Sequence, residues 1–173
     1  YDSSLAVYTP QWLWFSTALR SLDHAIEGFC SPQTHDYLDA HFLQAMSLFA
    51  QSLPLAFAEK DNLEARSQNQ TAVWLACCGL GSTTHGASHG IGYILGSHCG
   101  IPHGYTSCVM LPAVLEWNAV HNSKSQAHIA RAMGSPGQPA HRVVKTLVQS
   151  LGLPCSLSEL GVKKTQLEEI AQL

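Results

Sequence analysis

The apolar residues of this chain recur at helical spacing and are cut at short intervals by proline, glycine and capping residues. No segment of any length alternates in period two, and only the first few residues leave room for a strand. Such a pattern leaves the backbone one way to satisfy its polar groups, so the expected fold class is all-α, a multi-helix bundle. Thr9-Pro10 reads as a helix start, with the proline ring pre-set for a first turn. That helix runs through Trp12, Trp14 and Phe15 and ends near Phe29, before Ser31-Pro32. A second begins at Thr34 and carries Tyr37, Leu38, Phe42, Leu43, Met46, Leu48 and Phe49, and Pro54 must kink or end it. Asp61 is expected to cap a third helix from Asn62 to near Cys78, which closes on Gly79 and Gly81.

Beyond it, residues 86–97 are expected to be helical despite their glycines, followed by a tight loop over residues 99–104. Further helices are expected from Ser107 to near Asn118, kinked at Pro112, from Ser125 to Met133, and again from near Pro139. Thr165-Gln-Leu-Glu168 has the form of a capping box for a terminal helix. With 173 residues the chain has room for one domain, residues 1–173, around one core.

Hydrophobic content is ordinary at 46%, whereas 12% charged is low and suggests a surface partly covered by something else. A formal charge of −3 provides no basic footprint for nucleic acid. No apolar run approaches the roughly 20 residues needed to span a bilayer, so no membrane association is expected. The chain opens Tyr1-Asp-Ser-Ser, without a basic leader or an initiator Met, and so reads as a piece of a longer polypeptide. Six cysteines are scattered, with Cys77 and Cys78 adjacent and no C-x-x-C pair. Buried, reduced thiols and a cytoplasmic location are the expectation.

Ionisable side chains concentrate in two helical stretches. Arg20 and His24 are one turn apart and project from one face, and His89 and Tyr93 stand in the same relation on a later helix. His103 lies in the Gly-Pro loop that follows. Three imidazoles converging on a divalent ion would want a carboxylate as fourth ligand, and an arginine a turn before His24 argues against a metal. His85 and His89 form a His-x-x-x-His pair, but nothing at suitable spacing completes a zinc set. His35, His41, His121, His128 and His141 read as ordinary core or surface residues. Gly86, Gly90 and Gly92, at about 1 kcal/mol each relative to alanine inside a helix, fit either tight helix packing or close approach of a flat ligand. They are not a dinucleotide fingerprint, since no strand precedes them and the spacing is wrong.

Tyr1-Asp2, the stretch Leu22-Asp-His24-Ala-Ile-Glu27-Gly, and the block from His89 to His103 followed by Leu111-Pro112 resemble the iron-containing alcohol dehydrogenase superfamily. The likeness is to its C-terminal helical domain, of the dehydroquinate synthase-like type, and covers the whole chain in order. By motif the nearest branch is the maleylacetate reductases and their fungal relatives. The resemblance implies that a dinucleotide-binding α/β domain precedes this one in the same protein, with chemistry in the cleft between them. It also implies NAD(P)H as cofactor through that absent domain, with no cofactor-binding residue assigned here. The substrate would be a small carbonyl or carboxylate compound, and a homodimer is admitted.

Carried over by position, the family's metal-binding histidines fall on His24, His89 and His103, and its metal-binding aspartate falls on Arg20. A catalytic histidine expected one turn after His89 is Tyr93. Maleylacetate reductases are similar in lacking the aspartate and working without metal, so no metal is expected. Arg20 can clamp a carboxylate or donate to a carbonyl oxygen as negative charge develops. His24, His89 or His103 can supply a proton, and Tyr93 is a less ready acid unless a cation such as Arg20 stands beside it. The catalytic set expected is therefore Arg20, His24, His89, Tyr93 and His103, in a metal-independent reductase. Two other readings stand beside it: a pocket repurposed for isomerase, lyase or cyclase chemistry on a small organic acid or polyketide, and a non-catalytic remnant.

Overall fold

A computed structural model describes residues 2–173; Tyr1 lies outside the described residues. Nine α-helices and a 3-10 turn follow one another, and no strand occurs among the described residues. The opening residues form a short helix, α1 (Ser3–Ala6), in place of the strand for which they left room. The Asp2 carboxylate caps it by accepting from the Ser4 amide at 2.9 Å.

The central helix is α2 (Gln11–Phe29). Phe15, Ala18, Leu19, Leu22, Ala25, Ile26 and Phe29 recur three and four apart and are buried together. Against α2 pack α3 (Asp36–Ala58), α4 (Leu63–Cys77) and α6 (His103–Asn118). The helix α5 (Ala87–Cys99) rests mainly on α6, while α7 (Ser123–Ala132) and α8 (Ala140–Ser150) close the far side. Most buried apolar side chains form one cluster around α2, α3 and α6. A second, small cluster of Leu95, Ile101, Val162 and Ile170 ties α5 to the C-terminal segment with α9 (Leu167–Gln172).

Several boundaries differ from those expected, each for a local reason. Of the two outcomes expected at Pro54, a kink or an end, the helix does not end: α3 continues to Ala58. The Pro54 ring faces solvent while Leu53 and Ala56 are fully buried, so inward packing offsets the missing hydrogen bond, worth about 3 kcal/mol. Asn62, not Asp61, caps α4, its side chain accepting from the Ala65 amide at 2.9 Å. The terminal cap also shifts: the Gln166 side chain accepts from the Lys163 amide at 2.9 Å, two residues before the expected box. The six cysteines are free, but Cys108 alone is buried and Cys78 is exposed.

The correction that matters most is at α6. His103 is its first residue, not part of a loop, and the helix runs unbroken through Pro112 to Asn118. Pro102 precedes it with φ −54°, ready for a helical first turn, so the Gly-Pro sequence launches the helix. The next residue, Gly104, lies against the backbone of α2: a Cβ there would stand 2.5 Å from the Ser16 carbonyl carbon. A side chain at this point must push α2 and α6 apart. Gly104→Ala is therefore expected to destabilise the domain by about 1–3 kcal/mol, read as a lowered urea midpoint; an unchanged midpoint would show that the helices can separate freely.

Candidate active site

α2 presents Arg20, Asp23, His24 and Glu27 on successive turns toward α5 and the start of α6. Glu27 organises the contact with α5. Its Oε1 accepts from the Ser88 amide at 2.8 Å, and its Oε2 accepts from the Gly86 amide at 2.8 Å and the His89 amide at 3.3 Å. A carboxylate from a distant helix thus satisfies the unpaired donors that open α5, with the favourable sign for a helix N-terminus. The same Oε2 accepts from His89 Nδ1 at 2.7 Å, which fixes the ring's tautomer and leaves Nε2 unprotonated. His89 is fully buried, and its Nε2 has no hydrogen-bond partner.

The glycines of α5 now separate by role. A Cβ on Gly86 would meet Glu27 Oε1 at 2.5 Å, and one on Gly92 would meet Thr106 Oγ1 at 2.9 Å and Arg20 Nη1 at 3.3 Å. Both are close-packing positions, whereas Gly90 faces open space.

Asp23 forms a second buried node. Its Oδ2 accepts from Ser88 Oγ at 2.7 Å and Ser107 Oγ at 2.6 Å. Arg20 Nη1 donates to that Ser107 hydroxyl at 3.2 Å, so a relay runs from guanidinium to hydroxyl to carboxylate. Arg20 Nη2 lies 3.4 Å from His103 Nε2, which serves as the acceptor. The Tyr93 ring lies over the guanidinium at 5.4 Å and beside the His103 ring at 5.6 Å. Arg20 is 8% exposed and Tyr93 48%, so the cation sits under a rim that faces solvent.

One turn along the face is a cluster of imidazoles. His24 Nδ1 and His85 Nε2 are 3.2 Å apart, and the His89 ring is 4.4 Å from His24 and 4.3 Å from His85. Among the described residues, two sets bring their ligand atoms within 4.8 Å of one another: His24, His85 and His89, and Asp23, Glu27 and His89. His103 belongs to neither, being held by Arg20. The expected residues therefore fall into two neighbouring groups, Arg20 with Tyr93 and His103, and His24 with His89.

Burial, then the charges of His89, His85 and Arg20, push the His24 imidazole down to about 3. Burial also lowers His89 against the opposing pull of Glu27, and burial with Arg20 lowers His103. Burial works to raise Glu27, but the bonds from His89 and the Ser88 and Gly86 amides hold it below the usual carboxylate range. Asp23 is pushed up to about 7 by burial and by Glu27.

An imidazole held neutral in the fold loses stability as pH falls, because the unfolded chain takes the proton first. For His24 the loss spans the window from about 6.5 down to about 3. Asp23 acts oppositely, gaining stability as pH falls below about 7. The histidine contribution should appear as a shallower acid loss of stability in His24→Asn than in the parent, measured by denaturation between pH 7 and pH 4. Parallel curves would show that His24 protonates freely in the fold.

Sequence reasoning missed three of these residues. Glu27 and Asp23 lie in the Leu22–Glu27 stretch at helical spacing on the face of Arg20 and His24, and that spacing is the signal the sequence carries for them. The sequence offers nothing at suitable spacing to complete the pair of His85 with His89; His24, from another helix, stands beside both.

Residues 15–173 match the family described as Fe-containing alcohol dehydrogenase family, C-terminal. The chain is 30% identical over 173 residues to maleylacetate reductase from Pseudomonas sp. (strain P51), covering 100% of the chain and 49% of that protein. It is 30% identical over 181 residues to 1,3-propanediol dehydrogenase from Klebsiella pneumoniae, covering 99% and 47%. The crystal structure of a 1,3-propanediol oxidoreductase superposes with a TM-score of 0.93 at 31% identity, over 99% of the chain and 47% of its own. The chain spans about half the length of the curated relatives it matches. No helix among the described residues is long and apolar enough to cross a membrane.

Proposed function

Because the chain belongs to the Fe-containing alcohol dehydrogenase family as a C-terminal domain, we propose that it is the helical active-site half of a metal-independent reductase. Its substrate is a small carbonyl or keto-acid compound, as in the maleylacetate reductases it resembles. The observation that carries the reading is the Arg20 guanidinium, anchored by Ser107 and donating to His103 where the resemblance would place a metal-ligating carboxylate.

That arrangement does not fit a dication held by His24, His89 and His103. The His103 nitrogen such an ion would need already accepts from Arg20. A guanidinium about 5 Å from a dication costs several kcal/mol even at an effective dielectric of 20. Arg20 is placed instead to do electrophilic work: its planar donors clamp a substrate carboxylate or stabilise negative charge developing on a carbonyl oxygen. The Ser107–Asp23 relay holds the guanidinium in position. Tyr93 and His103, both exposed beside it, line the substrate's approach and offer ring N–H or O–H donors to a nascent alkoxide. A nicotinamide nucleotide, held by a preceding α/β domain of the same protein, supplies the hydride when bound.

Titration calorimetry and steady-state rates test the proposal together. The 173-residue chain alone is expected to bind neither NADH nor NADPH. The polypeptide that joins it to a dinucleotide-binding domain is expected to reduce keto acids at a rate unchanged by prior dialysis against a chelator. Micromolar nucleotide affinity of the isolated chain would overturn the division of labour, and a chelator-sensitive rate restored by added iron or zinc would overturn metal independence. Turnover of a small acid without nucleotide would replace reduction with isomerase, lyase or cyclase chemistry, for which the same acid–base cluster would serve.

A further inference from the structure

We propose that a cavity between α2 and α4 binds a small uncharged aromatic ring that carries a hydrogen-bond donor. Trp14, Thr17 and Ala18 of α2 line it with Asn69, Gln70 and Val73 of α4, around a volume of about 210 Å³. An apolar cavity of roughly 150 Å³ is enough to hold benzene, so a single substituted ring fits this one. Arg20, Tyr93 and His103 take no part in its lining, and the cavity is thus apart from the site described above.

The walls decide the chemistry of the occupant. Trp14 is fixed in place: its Nε1 donates to Asn69 Oδ1 at 2.9 Å, and the fully buried Arg66 guanidinium lies over its ring at 5.0 Å. Asn69 is held in turn, because its Nδ2 donates to Ser52 Oγ. A flat wall set in advance favours a flat ligand, which gains ring contact without ordering the protein. One polar atom is left over. Gln70 Oε1 is buried and has no hydrogen-bond partner among the described residues. A buried acceptor left unsatisfied is unfavourable, so a ligand that donates to it recovers what the fold forgoes. Thr17 donates its hydroxyl proton to the Leu13 carbonyl at 2.7 Å and is left with acceptor capacity alone. None of the six lining side chains is ionisable, so a charged ligand would lose its hydration without gaining a counter-charge.

This site is independent of the reductase reading, because phenol binding is measured on the 173-residue chain without keto acid or nucleotide. In an NMR titration with phenol, the Trp14 indole N–H should shift saturably, while that of Trp117, 82% exposed near the end of α6, stays in place. Gln70→Leu should bind phenol about tenfold more weakly, the effect of losing one hydrogen bond. Toluene, of the same shape but without a donor, should bind Gln70→Leu no more weakly than the parent. Thr17→Phe, at an exposed position on the rim, should abolish binding of both by filling the cavity, with circular dichroism as a check on its fold. Equal phenol affinity in Gln70→Leu and the parent would overturn the proposal, as would an undiminished Trp14 shift in Thr17→Phe or no saturable shift at all. Calorimetry on the polypeptide that includes the dinucleotide-binding domain should give the same phenol affinity. Loss of binding there would make the cavity a seat for that domain and overturn the ligand reading.

Discussion

Arg20→Ala lowers kcat/KM for keto-acid reduction by about 10²- to 10³-fold, the usual effect of removing a preorganised donor at a developing oxyanion. The loss should fall on kcat as well as KM, because the guanidinium is fixed before substrate arrives by Ser107 at 3.2 Å and His103 at 3.4 Å. Arg20→Lys should recover little, since an ammonium is a single point of charge and cannot reach both partners while presenting a flat fork outward. The measurement is steady-state kinetics on the polypeptide that pairs this domain with a dinucleotide-binding domain, with thermal unfolding as a check on the fold. A kcat/KM unchanged in Arg20→Ala would remove Arg20 from the chemistry and leave it a packing role over Tyr93.

The second large effect concerns stability. Glu27→Ala strands the Gly86, Ser88 and His89 amides and His89 Nδ1 at once, all of which Glu27 accepts from. Breaking a buried, hydrogen-bonded charged group of this kind costs about 3–5 kcal/mol. At about 2–4 °C per kcal/mol for a domain of this size, the melting temperature should drop on the order of 10 °C. Glu27→Gln should fall between, because the amide oxygen still accepts while its NH₂ faces donors. A melting temperature close to the parent's in Glu27→Ala would mean that water caps α5 as well as the carboxylate does.

Much of the fold was legible in the sequence because it depends on local rules. The long apolar stripe of α2, the Pro10 start and the stop at Ser31-Pro32 are decided within a few residues of where they act. Errors arose where distant packing decides. Pro54 does not end α3 because Leu53 and Ala56 are buried beneath it, and His103 joins α6 because Gly104 lets that helix seat against the Ser16 backbone of α2. The site divides in the same way. Pairs one turn apart, Arg20 with His24 and His89 with Tyr93, follow from helical geometry alone. That Glu27 caps a helix some sixty positions later, or that His24 and His85 meet, depends on how α2 docks against α5, which no periodicity encodes.

The two ends of α5 are fastened by unlike forces. Its first turn is held by ionised Glu27, and its last by the apolar contacts of Leu95 and Ile101 with Val162 and Ile170. Acid, by protonating Glu27, loosens the end that carries His89 and leaves the other in place. Cold does the reverse, because apolar association weakens on cooling while a buried carboxylate keeps its donors. The helix that bears His89 and Tyr93 is thus held at its two ends by forces that acid and cold weaken separately.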